Sequence, residues 1–328
     1  MKKTSLKDIA ESLGVSKALV SLVMNGKGDE RGINKETQEK VRRKAEELNY
    51  IPNQYARGLR MGRTNTIGVI VPDISNPFYA HLCKAIEMEA SIKGYNIIIC
   101  NTFEDTQKEK KLITDLINRS IDGLVLASSF DNKNEIESLK MDNFPIVLVD
   151  RVFEGLDFDS ISVANQKGAS KAIEFLYSNG VKRPACLTIS PVYISSISER
   201  IKGYLSAVKN EKEAKLIQIR HNYIVQDMEK AGEEIIEKGY DGIFCVNNTI
   251  AKAFLIYLNK KGVDSSKFTI ISFDDNEVFD IVQPNISSMC QPIQEIGRQA
   301  IEILINRLVN EGKVESQNLV LNTFLKER

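Results

Sequence analysis

A chain of 328 residues with 42% apolar and 27% charged side chains is long enough for two or three packed domains, and it lacks the run of about eighteen apolar residues that a membrane span needs. Its formal charge sums to zero unevenly: residues 1–63 hold fourteen Lys and Arg against eight Asp and Glu, a net +6, and the remainder carries −6, so a polyanion partner is expected for the front segment alone. The opening MKKTSLKDIAES has no apolar signal core, Cys83, Cys100, Cys186, Cys245 and Cys290 stand far apart without a C-x-x-C pair, and only His81 and His221 are present; a cytoplasmic location, reduced packed thiols, no zinc site and no histidine triad are expected.

Ser5 followed by Asp8 has the form of a capping box, and Leu6, Ile9, Ala10 and Leu13 then recur at helical spacing. Gly14 ends that helix, and Ser16 caps a second one running from Lys17 to about Asn25. Two short helices joined so tightly form a helix-turn-helix. On a wheel of about 100° per residue, Leu19, Val20, Val23 and Met24 share the side that can bury against the first helix, while Lys17, Ala18, Ser21, Leu22 and Asn25 face away. One cation, short hydrogen-bonding groups and small apolar groups suit a surface pressed into a DNA major groove. A merely solvated face would prefer Glu, Lys and Gln, and gives no reason for an outward Leu22.

The connection GKGDERGINKE contains Gly26, Gly28 and Gly32, but it follows a helix rather than a strand and lacks nucleotide-loop spacing, so a flexible loop is expected. Asn34 caps a third helix with Thr37, Val41, Ala45 and Leu48 on one face, Ile33 as a staple, and Lys40, Arg42, Arg43 and Lys44 opposite. After Tyr50-Ile51-Pro52, Asn53 caps a short segment, NQYARGLR. So short a helix is unstable alone and orders against a minor groove or a partner copy.

These phrases, SLKDIAESLGVSKALVSLVMNGKG and NKETQEKVRRKAEELNYIPNQYARGLR, resemble the DNA-binding headpiece of the LacI/GalR family of bacterial transcription regulators. The resemblance implies that Lys17 and Ala18 read bases and that Ser5, Lys7, Ser16, Ser21, Asn25, Tyr50 and Asn53 hold phosphates. It also counts Ala56 among the DNA-contacting positions and makes Leu59 a minor-groove wedge. Leu22 stands where the family usually has a base-reading Arg, so a thymine methyl is its natural neighbour and the operator differs accordingly. The glycine-containing connection is also longer than the family's usual one.

From Thr66 the pattern changes to short apolar runs separated by helical stretches: TIGVIVP, YNIIICN, DGLVLAS, PIVLVD, PACLTIS, KLIQIR, DGIFCV and FTIISF. Such alternation predicts parallel sheets covered by helices, and the echo of IDGLVLAS (121–128) in YDGIFCVNN (240–248) predicts two similar α/β lobes. Ligands of such folds bind beyond the carboxyl ends of the strands. The body resembles the same family's sensor, which is similar to a periplasmic sugar-binding protein, through VPDISNPFYAHL, PIVLVDR, SERIKGYLSA, FCVNNTIAKAFLIYL, ISFDDNEVFD and CQPIQEIGRQA. By position in those phrases Asp73, Asn76, Phe78, Asp150, Arg151, Ser196, Arg200, Asn248 and Gln291 are the effector-pocket candidates, Arg200 being the main hydrogen-bonding fork. Asn248 replaces the family's usual Asp.

Alternatives stand beside several of these. Asp73 and Asn76 could equally shape the turn before Pro77, and Asp150-Arg151 could be a surface ion pair. Asp274 and Asp275 are adjacent on an extended chain and point to opposite faces, so a structural role is preferred to a catalytic carboxylate pair. The expected architecture is an all-α helix-turn-helix headpiece (1–51), a hinge segment (52–64) and an α/β two-lobed sensor (65–328), with one lobe at 65–163 plus 292–317 and the other at 164–291 plus 318–328. The expected function is a homodimeric regulator, a repressor, that binds pseudo-palindromic operator DNA under control of a small effector, a sugar or related metabolite. No catalytic residue, cofactor or metal is expected. A solute-binding module lacks the signal sequence it would need, and a sugar- or nucleoside-processing enzyme lacks a phosphate loop, metal ligands and a nucleophile–base set.

Overall fold

Each headpiece helix begins where a short polar side chain replaces a missing backbone acceptor. Ser5 Oγ accepts the Asp8 amide at 3.3 Å and Asp8 Oδ2 accepts the Ser5 amide at 2.7 Å, closing the capping box of α1 (Leu6–Leu13); Gly14, at φ 67°, stops it in the left-handed region. Ser16 starts α2 (Lys17–Met24) and Asn34 starts α3 (Lys35–Glu47) by the same device. Ile9, Val20 and Val41 are fully buried where the three helices meet, with Ala10, Val23 and Ala45 around them.

The computed structural model describes residues 4–50, 63–140, 144–153, 155–210, 214–310 and 314–328 and separates into two units, Met1–Thr64 and Asn65–Arg328. The expectations for Asn53, Ala56 and Leu59, and most of the hinge segment, fall outside the described residues.

The glycine-containing connection, expected as a flexible loop, is organised around Gln38, which sequence reading overlooked. Buried on α3, Gln38 donates through Nε2 to Asp29 Oδ1 (2.7 Å) and Ile33 O (2.8 Å) and accepts from Arg42 at 3.2 Å. Gly28 lies against it so closely that a Cβ there would stand 2.4 Å from Gln38 Cδ. A side chain at position 28 would therefore push the Gln38 amide out of these hydrogen bonds.

In the larger unit β1 (Thr66–Val71), β2 (Asn96–Asn101), β3 (Gly123–Leu126), β4 (Ile146–Val149) and β5 (Asp159–Val163) form a parallel sheet with β11 (Asn318–Leu321), in the order β11-β5-β4-β3-β1-β2. The second sheet combines β6 (Pro184–Ser190), β7 (Lys215–Arg220), β8 (Gly242–Cys245), β9 (Thr269–Phe273), β10 (Ser287–Cys290) and β12 (Phe324–Lys326), in the order β12-β10-β9-β8-β6-β7, with β12 alone antiparallel. The central strands are buried, as parallel strands covered on both faces must be. Helices α4 (Pro77–Ile92), α5 (Thr106–Asn118), the short α6 (Lys133–Glu137) and α11 (Ile293–Val309) go with the first lobe, and α7 (Asn165–Ser178), α8 (Ser195–Ala207), α9 (Ile224–Lys238) and α10 (Asn248–Lys261) with the second.

The chain crosses between lobes after β5, after β10 and between β11 and β12. The expectation that 318–328 belongs wholly to the second lobe is therefore corrected: Asn318–Leu321 pairs with β5 in parallel register, Leu319 opposite Ile161, and the chain changes lobe only at Asn322–Thr323. Arg307 of α11 secures that edge by binding the buried Asp159 carboxylate, which also accepts the Gln317 amide at 2.8 Å.

Candidate functional site: a basic helix face and an interlobe cleft

In the headpiece Ser5, Lys7, Ser16, Lys17, Ala18 and Asn25 are exposed, and Ser21, Leu22 and Tyr50 are half-buried. The first turn of α2 has no acidic residue, so its free amides and the positive end of the helix dipole combine with Lys17, which makes no hydrogen bond or ion pair among the described residues. Ser16 spends its oxygen as an acceptor for Leu19 and keeps its proton to donate. Ser5 differs, because its hydroxyl already donates to Asp8 at 2.7 Å. Asn25 folds back on Ser21, its Nδ2 lying 2.7 Å from the Ser21 carbonyl.

In the sensor, the carboxyl ends of strands from both sheets face one cleft enclosing about 680 Å3 of open space. Asp73, Asn76, Phe78, Asp150, Arg151, Ser196 and Arg200 all line it. Two candidates do not. Asn248 is completely buried, 3.3 Å from the Asp275 carbonyl, and its neighbours Asn247 and Thr249 face the cleft instead. Gln291 lies behind the wall and donates to Asp274 Oδ1 at 2.6 Å. Asp274, read from sequence as structural, lines the cleft with left-handed backbone at φ 66°, while Asp275 points away to Ser288, Lys326 and Arg328. Tyr79, Glu104 and His221 were also missed; Glu104 and His221 follow β2 and β7, and the strand-end rule applied to those two runs would have found them.

The cleft's cations are already neutralised by the protein. Arg151 binds both carboxylate oxygens of Glu104, at 2.6 and 2.7 Å, and the Ser128 carbonyl at 3.0 Å. The alternative of a surface ion pair for Asp150-Arg151 is excluded: both are buried, and Asp150 takes its hydrogen bond from Tyr79 Oη at 2.8 Å. Arg200, 3% exposed, donates to Asn165 Oδ1 (2.8 Å), Val246 O (2.8 Å) and Asp274 Oδ2 (3.2 Å) and lies over the Phe273 ring. Only its Nη2 lacks a partner among the described residues, so as a fork it offers one prong. Burial raises the Asp274 carboxyl, with the Arg200 charge and the Gln291 hydrogen bond opposing. Burial likewise lifts the Tyr79 phenol far above its ordinary value, keeping it a donor.

Two side chains tie this wall to the interlobe crossovers: Asn165, at the first, holds Arg200, and Gln291, at the second, holds Asp274. Asp73 and Asn76 fill both roles considered for them. Asp73 accepts from Ser75 at 2.9 and 2.7 Å, Asn76 caps α4 through the Phe78 amide at 3.0 Å, and each faces the cleft, where Asn76 Nδ2 lies 3.5 Å from Thr249 Oγ1 of the opposite lobe. Among the described residues no helix is long and apolar enough to cross a membrane.

Residues 5–53 match the family model described as bacterial regulatory proteins, lacI family, and residues 64–328 match that of periplasmic binding proteins and sugar binding domain of LacI family. The chain is 32% identical over 332 residues to the HTH-type transcriptional regulator RegA of Clostridium saccharobutylicum, covering 99% of this chain and 98% of that one. It is 30% identical to catabolite control protein A of Priestia megaterium, covering 94% and 93%. A solved LacI family transcriptional regulator from Enterococcus faecalis with bound ribose superposes with a TM-score of 0.71 at 28% identity, over 80% of this chain and 97% of that one. A periplasmic binding protein/LacI transcriptional regulator from Alkaliphilus metalliredigens complexed with D-xylulofuranose gives 0.71 at 28%, over 80% and 98%.

Proposed function

Because this chain belongs to the LacI family and is a DNA-binding transcription regulator rather than an enzyme, we propose that it is a repressor, working in the cytoplasm as a homodimer on a pseudo-palindromic operator, and that an uncharged sugar in the interlobe cleft controls it. In this reading Lys17 and Ala18 meet base edges, and Ser16, Ser21, Asn25, Lys7 and Tyr50 hold the backbone. The hinge residues Asn53, Ala56 and Leu59 act where the two copies meet the minor groove. A second copy has an available surface: Ile99 on the edge strand β2, and Met88 and Ile92 on the helix packed beside it, are exposed apolar side chains.

The observation that carries the effector assignment is the charge of the cleft wall. Four carboxylates, Asp73, Glu104, Asp150 and Asp274, face two guanidinium groups already paired with two of them. Surplus acceptors suit a hydroxyl-rich neutral ligand and repel a phosphate-bearing one. Ligand free energy that differs between lobe arrangements then reaches the crossovers through Asn165 and Gln291.

The test is operator binding by the full-length protein on a site obtained by selection from random duplexes. Affinity should fall by roughly a thousandfold or more between about 50 and 200 mM salt, as released counterions require, and a neutral sugar should change it. The Arg200→Ala protein should bind DNA and ignore the sugar. A salt-independent affinity overturns the DNA assignment; a response to sugar phosphates alone, or one that survives Arg200→Ala, overturns the cleft assignment.

A further inference from the structure

Beyond the inner cleft lies a second chamber to which the functional reading gives no role. It is a solvent-open recess of about 770 Å3 that adjoins the inner cleft, Arg151 and Ile194 lining both. Three segments wall it: Ser128, Phe130 and Asn132 after β3, Val152 and Phe153 after β4, and Tyr193 just before α8 with Ser195 at its start. Ser195 Oγ accepts the Val152 amide at 2.9 Å, so the chamber spans both lobes and an occupant would touch each.

Two features of the wall are unfinished. Tyr193 stands 54% exposed beside the recess, an aromatic face with little covering it, whereas Phe130 is buried at its base. Arg151 Nε is buried and lacks a hydrogen-bond partner among the described residues, its nearest acid, Asp150 Oδ2, being 3.8 Å away. A buried donor left unpaired destabilises the arrangement that holds it. Relieving that cost needs a shift of Arg151 that brings Nε to the boundary of the two spaces, where a ligand oxygen would accept from it.

We propose that the outer chamber is a second sugar subsite, so that the effector is of disaccharide size: one ring in the inner cleft, an oxygen of the linkage beside Arg151, and a second ring against Phe153 and Tyr193. The inference rests on the cleft being the effector site. A sugar ring carries a C–H face that packs on aromatics and a rim of hydroxyls that bond to the exposed Asn132 amide and to the Ser195 hydroxyl proton, and the chamber offers both kinds of surface. An aryl group would cover the aromatics and leave the Asn132 amide and the Ser195 hydroxyl proton unused. The rim charges Asp131 and Lys133 cancel, so no net charge is asked of the ligand.

Calorimetric titration of the full-length protein tests this, with glucose, galactose, xylose and ribose set against cellobiose, lactose, maltose, xylobiose and phenyl glucoside. One disaccharide should bind roughly tenfold or more tightly than its constituent monosaccharides. Tyr193→Ala, at a solvent-facing position, should weaken that disaccharide roughly threefold to tenfold and leave the monosaccharide constant unchanged; Phe153→Ala serves as the second variant. If a monosaccharide binds and a second ring gains nothing, or both variants leave the disaccharide constant as it was, the outer subsite falls and the cleft assignment stands. Phenyl glucoside outranking every disaccharide also overturns it, replacing the second sugar with an apolar group. Silence from every sugar overturns the cleft assignment, and this proposal with it.

Discussion

Lys17 and Arg200 both stand where a ligand is expected, and the protein treats them in opposite ways. Lys17 is exposed, without a partner among the described residues, at the positive end of a helix whose first turn carries no acid. Arg200 is 3% exposed, with three hydrogen-bond acceptors and an aromatic ring around it. The difference follows from the partner. A polyanion supplies the counter-charge itself, so a surface that binds it keeps its cations in water. A neutral ligand supplies none, so a charge in its pocket must be neutralised from within or it would be too costly to bury.

The comparison breaks most readily in the sensor. Asp274→Ala would leave the Arg200 guanidinium buried without its counter-charge and should cost about 3–5 kcal/mol of stability, read from chemical denaturation; a loss below 1 kcal/mol would mean the pair is not mutually dependent. In the headpiece stability and function should separate. Lys17→Ala is expected to cost about 1–3 kcal/mol on the preferred operator and to relax base preference, while thermal unfolding of the headpiece stays unchanged; an unchanged preference in a randomised-site selection removes Lys17 as a reader.

The smallest effect concerns pH. Burial alone would raise the Glu104 carboxyl, but the paired hydrogen bonds and charge of Arg151 outweigh it and hold the group below the usual carboxylate range. The folded protein therefore binds this proton more weakly than the unfolded chain, whose value is about 4.3. The stability gained is present above that pH and is lost as acid carries the solution down through the lower folded value. Glu104→Gln should accordingly flatten the acid limb of the sensor's denaturation profile; superimposable profiles for the two proteins would show that the Glu104–Arg151 pair adds no net stability.

Much of the headpiece was legible because its instructions are local. Ser5 and Asp8, Ser16 and Leu19, and Asn34 and Thr37 are each three residues apart, and helical geometry alone brings them together. Gln38 escaped because its partners lie in a loop whose path no short-range rule gives. In the sensor the strand ends could be read from apolar runs, and seven of the nine candidates taken from their position in the family-resembling phrases line the cleft. What could not be read is which side chain satisfies which: Arg151 meets Glu104 across 47 positions, and Tyr79 meets Asp150 across 71. Asn248 and its flanking residues show the limit from the other side, since a shift of one residue in a helix's first turn moves a side chain from cavity to core.

The sequence by itself determined the helix caps, the strands, the two-lobed plan and the chemical kind of residue at each strand end, because each depends on periodicity or on neighbours within a few positions. Tertiary structure alone decided that β11 joins the first sheet before β12 joins the second, that the cleft arginines are neutralised by distant acids, and that three separate segments enclose an outer chamber. Those outcomes depend on which surfaces meet after folding, and burial then compels every charge brought inside to find a partner wherever along the chain one happens to lie.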